Sequence, residues 1–188
     1  FMKISSLTVD TPVDLVFLIL GIALPYLIAS ITIGSVAKTA ELMVDEVRRQ
    51  FKFIVGLMEG HAKPDYAKCV DIATKNALKE MILPSLISIL VPAAVGVIFG
   101  AHALGALLIG AIACSAMLGP FFNNTGTAWD NAKKRIEDNR QLKGSLEHSA
   151  AVVGDTVGDP LKDVAGPSLL IFMKLIGMTA ILIAPLIK

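Results

Sequence analysis

The chain of 188 residues is 54% hydrophobic and 18% charged, against about 25% charged for an ordinary soluble domain, and this excludes a conventional soluble globular class in favour of a membrane protein. Its 17 basic and 16 acidic residues leave a net charge of +1, which gives no bulk attraction for nucleic acid or any other polyanion. Two cysteines, Cys69 and Cys114, are too few and too far apart for a zinc site or a disulfide framework.

The opening Phe1-Met2-Lys3 leads into no short apolar stretch with a small-residue cleavage site, so no signal peptide is expected, and a first residue other than methionine points to a fragment or processed piece. The first expected span is 15–37, which carries no charge over 23 residues. About 20 helical residues cross a hydrocarbon core of about 30 Å. "AKTAELMVDEVRRQF", 37–51, continues the helical period into a polar stretch, 38–80, so long helices are expected to project beyond the bilayer. Further spans are expected at 81–99 and 104–122, joined by "GAHA", 100–103, which is short enough only for a tight helical hairpin. A second polar stretch, 130–163, precedes a last span at 166–187. The fold class is therefore an all-α membrane protein with four transmembrane helices. A soluble helical protein with a long core is the alternative, and the uncharged first span weighs against it.

Eight of the lysines and arginines fall in 38–80 and six in 130–163, fourteen of seventeen in all. The positive-inside rule then makes both polar loops cytoplasmic, with the hairpin and both termini outside.

Chemistry is concentrated at the polar ends of the last two spans. In "GDTVGDPLKD", 154–163, a helix would bring Asp155, Asp159, Lys162 and Asp163 onto one face at i, i+4, i+7 and i+8. Pro160 allows a second arrangement, with Asp159 as N-cap and Pro160 at the first helical position. Carboxylates so close repel unless cations lie between them, and hard oxygen ligands suit Mg²⁺ with substrate phosphates. A solvated helix cap is the plain alternative. "NNTGTAWDNAKKRIED", 123–138, sets Asp130 and Lys133 at i, i+3; here the alternative is an interfacial cluster, with Trp129 as anchor and Lys133, Lys134 and Arg135 facing lipid headgroups. Lys174 is the only charge inside any of the four expected spans, and such a residue normally faces a bundle interior or a water path. Eleven residues beyond Asp163, it would lie about 16 Å deeper under the same stripe. His61, His102 and His148 share no spacing, and Gly-rich phosphate loops, nucleophile elbows and HExxH patterns are missing from the sequence.

These stretches, with "GLMEGHAKPDYAKCVDIATKNALKEM", "NTGTAWDNAKK" and "GPSLL", resemble the C-terminal part of membrane-integral pyrophosphatases, over most of the chain beyond residue 35. The resemblance implies the last four helices of a sixteen-helix bundle, the third and fourth spans lining the site and the first two in an outer ring. It implies hydrolysis of inorganic pyrophosphate with Mg²⁺ as cofactor, coupled to H⁺ or Na⁺ pumping, with activation by K⁺ or Na⁺ left open. It further implies a homodimer in a cell or acidic-organelle membrane. Asp130, Asp155 and Asp159 resemble the Mg²⁺ ligands, Lys133 and Lys162 the lysines on the phosphates, and Asp163 one of two aspartates that position the attacking water. Lys174 resembles the lysine of the ion gate. The family more often reads "GGAWDN" where this chain has Gly126-Thr127-Ala128, and "DTSGPSLN" where it has "DVAGPSLL", 163–170; the changes fall on neighbours of the charged residues. The other partners implied are membrane lipid and the upstream helices of the same protein. Two rival readings are a non-enzymatic transporter or channel module with an acidic vestibule, and a structural bundle that binds anionic lipid through its basic loops.

Overall fold

The computed structural model describes residues 8–139 and 142–187; the leader reading at Phe1 to Lys3, together with Arg140 and Lys188, lies outside them. Helix α1 runs Pro12–Phe53. Its start is set locally: Thr11 Oγ1 accepts from the Asp14 amide at 3.1 Å, and the Asp14 carboxylate accepts from the Thr11 amide at 3.2 Å. This reciprocal cap satisfies two of the otherwise orphaned donors, and Pro12 follows at a position where a missing N–H costs nothing. The first span and its polar continuation thus form one rod of 42 residues.

Helix α2, Tyr66–Asp138, is 73 residues long and interrupted only at Gly100, where φ is 87° and ψ −175°. The expected four-residue hairpin "GAHA" is corrected to this one residue. A glycine reaches that left-handed region without a Cβ penalty, so helix continues on both sides of it. After α2, Ser145 caps α3, Leu146–Asp159, by accepting from the His148 amide. A π turn, Pro160–Ala165, leads into α4, Gly166–Ile183, and a 3₁₀ turn, Ala184–Leu186, follows.

The arms on both sides of Gly100 pack against α1. Before Gly100, Gln50 bonds the backbone of Asp65, Ser35 bonds Glu80 at 2.7 Å, and the Phe17 and Phe99 rings lie 4.8 Å apart. After it, Gly110 meets the α1 backbone at Leu18 and Ile22, and farther along Gly126 meets Gly158. The buried core lies where these rods meet, with Leu104, Leu169 and Ile176 wholly enclosed. In lipid such packing is held by dispersion and by close approach at small residues, because burial against a neighbour gains nothing over burial in acyl chains.

Pro12–Phe53, Tyr66–Asp138 and Leu146–Leu186 are each long and apolar enough to cross a membrane. Among the described residues every element is helical. Large apolar side chains such as Ile98, Ile181 and Leu182 point outward, each more than 70% exposed, a surface made for acyl chains or further helices rather than for water.

Candidate functional site

The second arm of α2, 101–138, carries its helix past the apolar stretch and so projects Asp130 and Lys133 beyond it, while α3 and the π turn return alongside. Two sequence-distant carboxylate and lysine sets then interleave. The Lys162 ammonium lies 2.6 Å from Asp130 Oδ2 and 3.0 Å from Asp159 Oδ1. Lys133 donates to Asp155 Oδ2, with Asp130 Oδ1 3.9 Å away. Lys134 adds a bond of 3.0 Å to Asp130 Oδ2.

The electrostatics follow from these contacts. Hydrogen bonds from Lys162 and then Lys134 pull the Asp130 carboxyl down to about 2, against a smaller opposing effect of burial. Bonds to Asp130 and Asp159 raise the Lys162 ammonium well above the usual lysine range, and the bond to Asp155 raises Lys133. Asp130, Lys133 and Lys162 therefore stay ionised across neutral pH.

One atom is left over. Asp155 is buried, and among the described residues its Oδ1 has no hydrogen-bond partner. A buried carboxylate oxygen without a partner is costly unless a cation or donor reaches it. Aspartate oxygens beside lysines are the donor chemistry of a Mg²⁺–phosphate site, in which a few carboxylates share the metal with substrate oxygens. The residues present fit one wall of such a site. They do not build a whole coordination shell: among the described residues no three acidic, histidine or cysteine side chains come together in metal-holding geometry. The lysines that interleave with the aspartates are the physical reason.

The stripe expected on one face is divided by the π turn. Asp159 has ordinary right-handed helical angles, φ −57° and ψ −49°, with no capping side-chain bond, so the N-cap arrangement is not the one adopted. The wider π turn carries Lys162 toward Asp130 and leaves Asp163 exposed, at the wall of a separate cavity of about 670 Å³ that also touches Ser35, Thr39 and Glu80. Such turns recur at functional sites, where they re-aim side chains. Lys174 is exposed on α4; the bundle interior expected for it is not formed by these helices.

Comparison with known proteins bears on the same residues. The sequence model described as inorganic H⁺ pyrophosphatase matches residues 2–183. The chain belongs to that family. Among curated relatives, it is 50% identical over 183 residues to a "K(+)-insensitive pyrophosphate-energized proton pump" of Methanosarcina mazei, covering 97% of this chain and 27% of the relative. It is 51% identical over 170 residues to a pump of the same description from Caldanaerobacter subterraneus, covering 90% of this chain and 24% of the relative. To a "K(+)-stimulated pyrophosphate-energized sodium pump" of Thermotoga maritima it is 43% identical over 203 residues, covering all of this chain and 28% of the relative. The chain thus spans about a quarter of the length of these family members.

For a pyrophosphatase-family chain, sequence spacing missed three features of the site. One is the cross-pairing of Lys133 with Asp155 and of Lys162 with Asp130, which joins residues 22 and 32 positions apart. Another is Lys134 on Asp130, for which the i, i+4 spacing was the available signal. The third is Asn123, whose buried Oδ1 has no partner among the described residues and lies where a methyl on Gly166 would fall.

Proposed function

We propose that the complete polypeptide containing this chain hydrolyses Mg-pyrophosphate at the cytoplasmic side and couples that reaction to H⁺ or Na⁺ pumping, with this chain supplying one wall of the active site. Membership of the pyrophosphatase family supports the reaction class. The observation that carries the site is the Asp130–Lys162–Asp159 bridge beside the Lys133–Asp155 pair, with Asp155 Oδ1 uncommitted.

In this reading Asp130, Asp155 and Asp159 would hold Mg²⁺, which would supply charge neutralisation for the pyrophosphate oxygens. Lys133 and Lys162 exchange their aspartate partners for phosphate oxygens when substrate arrives, and so stabilise charge on the leaving phosphate. That exchange leaves aspartate oxygens available at the same moment. Asp163 orients a water for in-line attack together with an acidic partner outside this chain. Lys174, exposed here, meets groups of the rest of the polypeptide at an ion gate beneath the site. Moving one charge against 100 mV costs about 2.3 kcal/mol, so each turnover must be tightly linked to transport.

The architecture that goes with this reading takes the two arms of α2 as two spans turning at Gly100. The chain then crosses four times, as the last part of a sixteen-helix homodimeric pump, with the basic loops cytoplasmic. The test is phosphate release from Mg-pyrophosphate by membranes containing the complete protein. Activity in the wild type that disappears in Asp159→Ala and Lys162→Ala is the expected result; normal hydrolysis in both variants would remove these residues from the site.

A further inference from the structure

The second arm of α2 crosses the α3–α4 rod at a point made of backbone on both sides. A methyl group in place of the Gly126 hydrogen would fall on the Gly158 carbonyl oxygen, 2.7 Å from Lys162 Cβ and 3.0 Å from the Lys162 amide nitrogen. A backbone oxygen cannot rotate away as a side-chain tip can, so the rods would have to part. Gly119, one seam position deeper on the same arm, differs: its nearest atoms would be 3.6 Å from such a methyl, an ordinary contact. Gly158 is intermediate, with Gly126 Cα and oxygen at 3.2 Å.

Separation at this point acts on the site directly, because Lys162 reaches from one rod to the other. Its ammonium touches Asp159 on its own rod and Asp130 on the facing arm. The partnerless Asp155 Oδ1 is buried close by, on the residue that Lys133 bridges from that arm. We infer that Gly126 is a positioning residue: by letting the two backbones touch at Gly158, it sets the reach of Lys162 and hence the place of the substrate phosphate. The inference rests on the pyrophosphate reading of the site.

The experiment compares Gly126→Ala, Gly158→Ala and Gly119→Ala in the complete polypeptide in membranes. The first readout is KM and kcat for Mg-pyrophosphate. The second, free of turnover, is the rise in thermal midpoint on adding Mg²⁺ with methylenediphosphonate, a pyrophosphate analogue whose bridge does not hydrolyse. A misplacement of about 1 Å costs on the order of 100-fold in a preorganised site. Gly126→Ala should therefore raise KM by about tenfold or more and lose the analogue-induced shift, Gly158→Ala should fall between, and Gly119→Ala should match the wild type in both. Wild-type KM and a full analogue shift in Gly126→Ala would overturn the inference. Should Gly126→Ala fail to reach the membrane, wild-type values in Gly158→Ala would overturn it equally, since the crossing would then serve folding alone. Wild-type protein showing neither hydrolysis nor an analogue shift would instead remove the pyrophosphate reading, and the inference with it.

Discussion

Two ionic clusters sit at polar helix ends of this chain, and they are built to different ends. Where α1 meets α2, Glu46 is held by Arg49 and Gln50, and the Gln50 amide spans to the backbone of Asp65 with bonds of 2.8 and 3.0 Å. Both Glu46 and Gln50 are buried, and neither appears among the side chains left with a partnerless buried atom. Where α2 meets α3, two lysines are shared among three aspartates, and among the described residues Asp155 Oδ1 is left without a partner. A network that closes on itself fastens a loop. One that leaves a buried oxygen open is waiting for something from outside, because that desolvation is otherwise uncompensated.

The largest expected separation between the clusters is in catalysis. Lys162→Ala should lower phosphate release by about 100-fold or more, the scale for losing a charge-stabilising group, while Gln50→Ala leaves KM and kcat near wild type. Comparable losses in both would erase the distinction. Lys174→Ala sharpens the comparison from below: hydrolysis should largely persist while ion transport falls to background, measured together in vesicles, and unchanged transport would remove Lys174 from the mechanism. Next comes stability. Gln50→Ala strands the Asp65 amide and a bond to Glu46, worth about 1–3 kcal/mol, so the thermal midpoint should fall by a few degrees with activity intact at assay temperature.

The smallest effect is in acid. The Arg49 bond and then the Gln50 bond hold Glu46 at about 2, down from an ordinary 4.5, and Asp130 stands at about 2 against 3.8. A lowered folded-state value means that each carboxylate stabilises the fold above its unfolded value and loses that contribution as pH falls through the folded one. Both contributions should be constant above about pH 5 and fade between there and pH 2. A Glu46→Gln variant should lose less thermal midpoint than the wild type over that acid window, and the two should run parallel above it; parallel curves throughout would contradict the assignment.

Much of the charge cluster could be read from spacing, because Asp155, Asp159 and Lys162 lie within helical turns of one another and Asp130, Lys133 and Lys134 likewise. Which lysine meets which aspartate could not be read. That depends on how two rods cross, and the crossing is set by Gly126 and Gly158 touching through backbone atoms. The π turn was marked locally only by Pro160, which has no N–H to give the helical ladder; the wider hydrogen bonding that follows it was not legible. The turn at Gly100 was located but drawn too long, since a single left-handed glycine suffices. Lys174 is exposed on these helices, where the rule for a charge inside a span expected an interior, and the chain covers only 24% to 28% of the length of its relatives.

The most direct measurement is a structure of the complete polypeptide with Mg²⁺ and methylenediphosphonate. Lys133 and Lys162 should have left their aspartates for phosphonate oxygens, with Asp155 Oδ1 coordinating Mg²⁺ at about 2.1 Å. Analogue bound elsewhere, with the Lys162–Asp130 and Lys133–Asp155 pairs intact, would contradict the assignment of this cluster as the wall of the site.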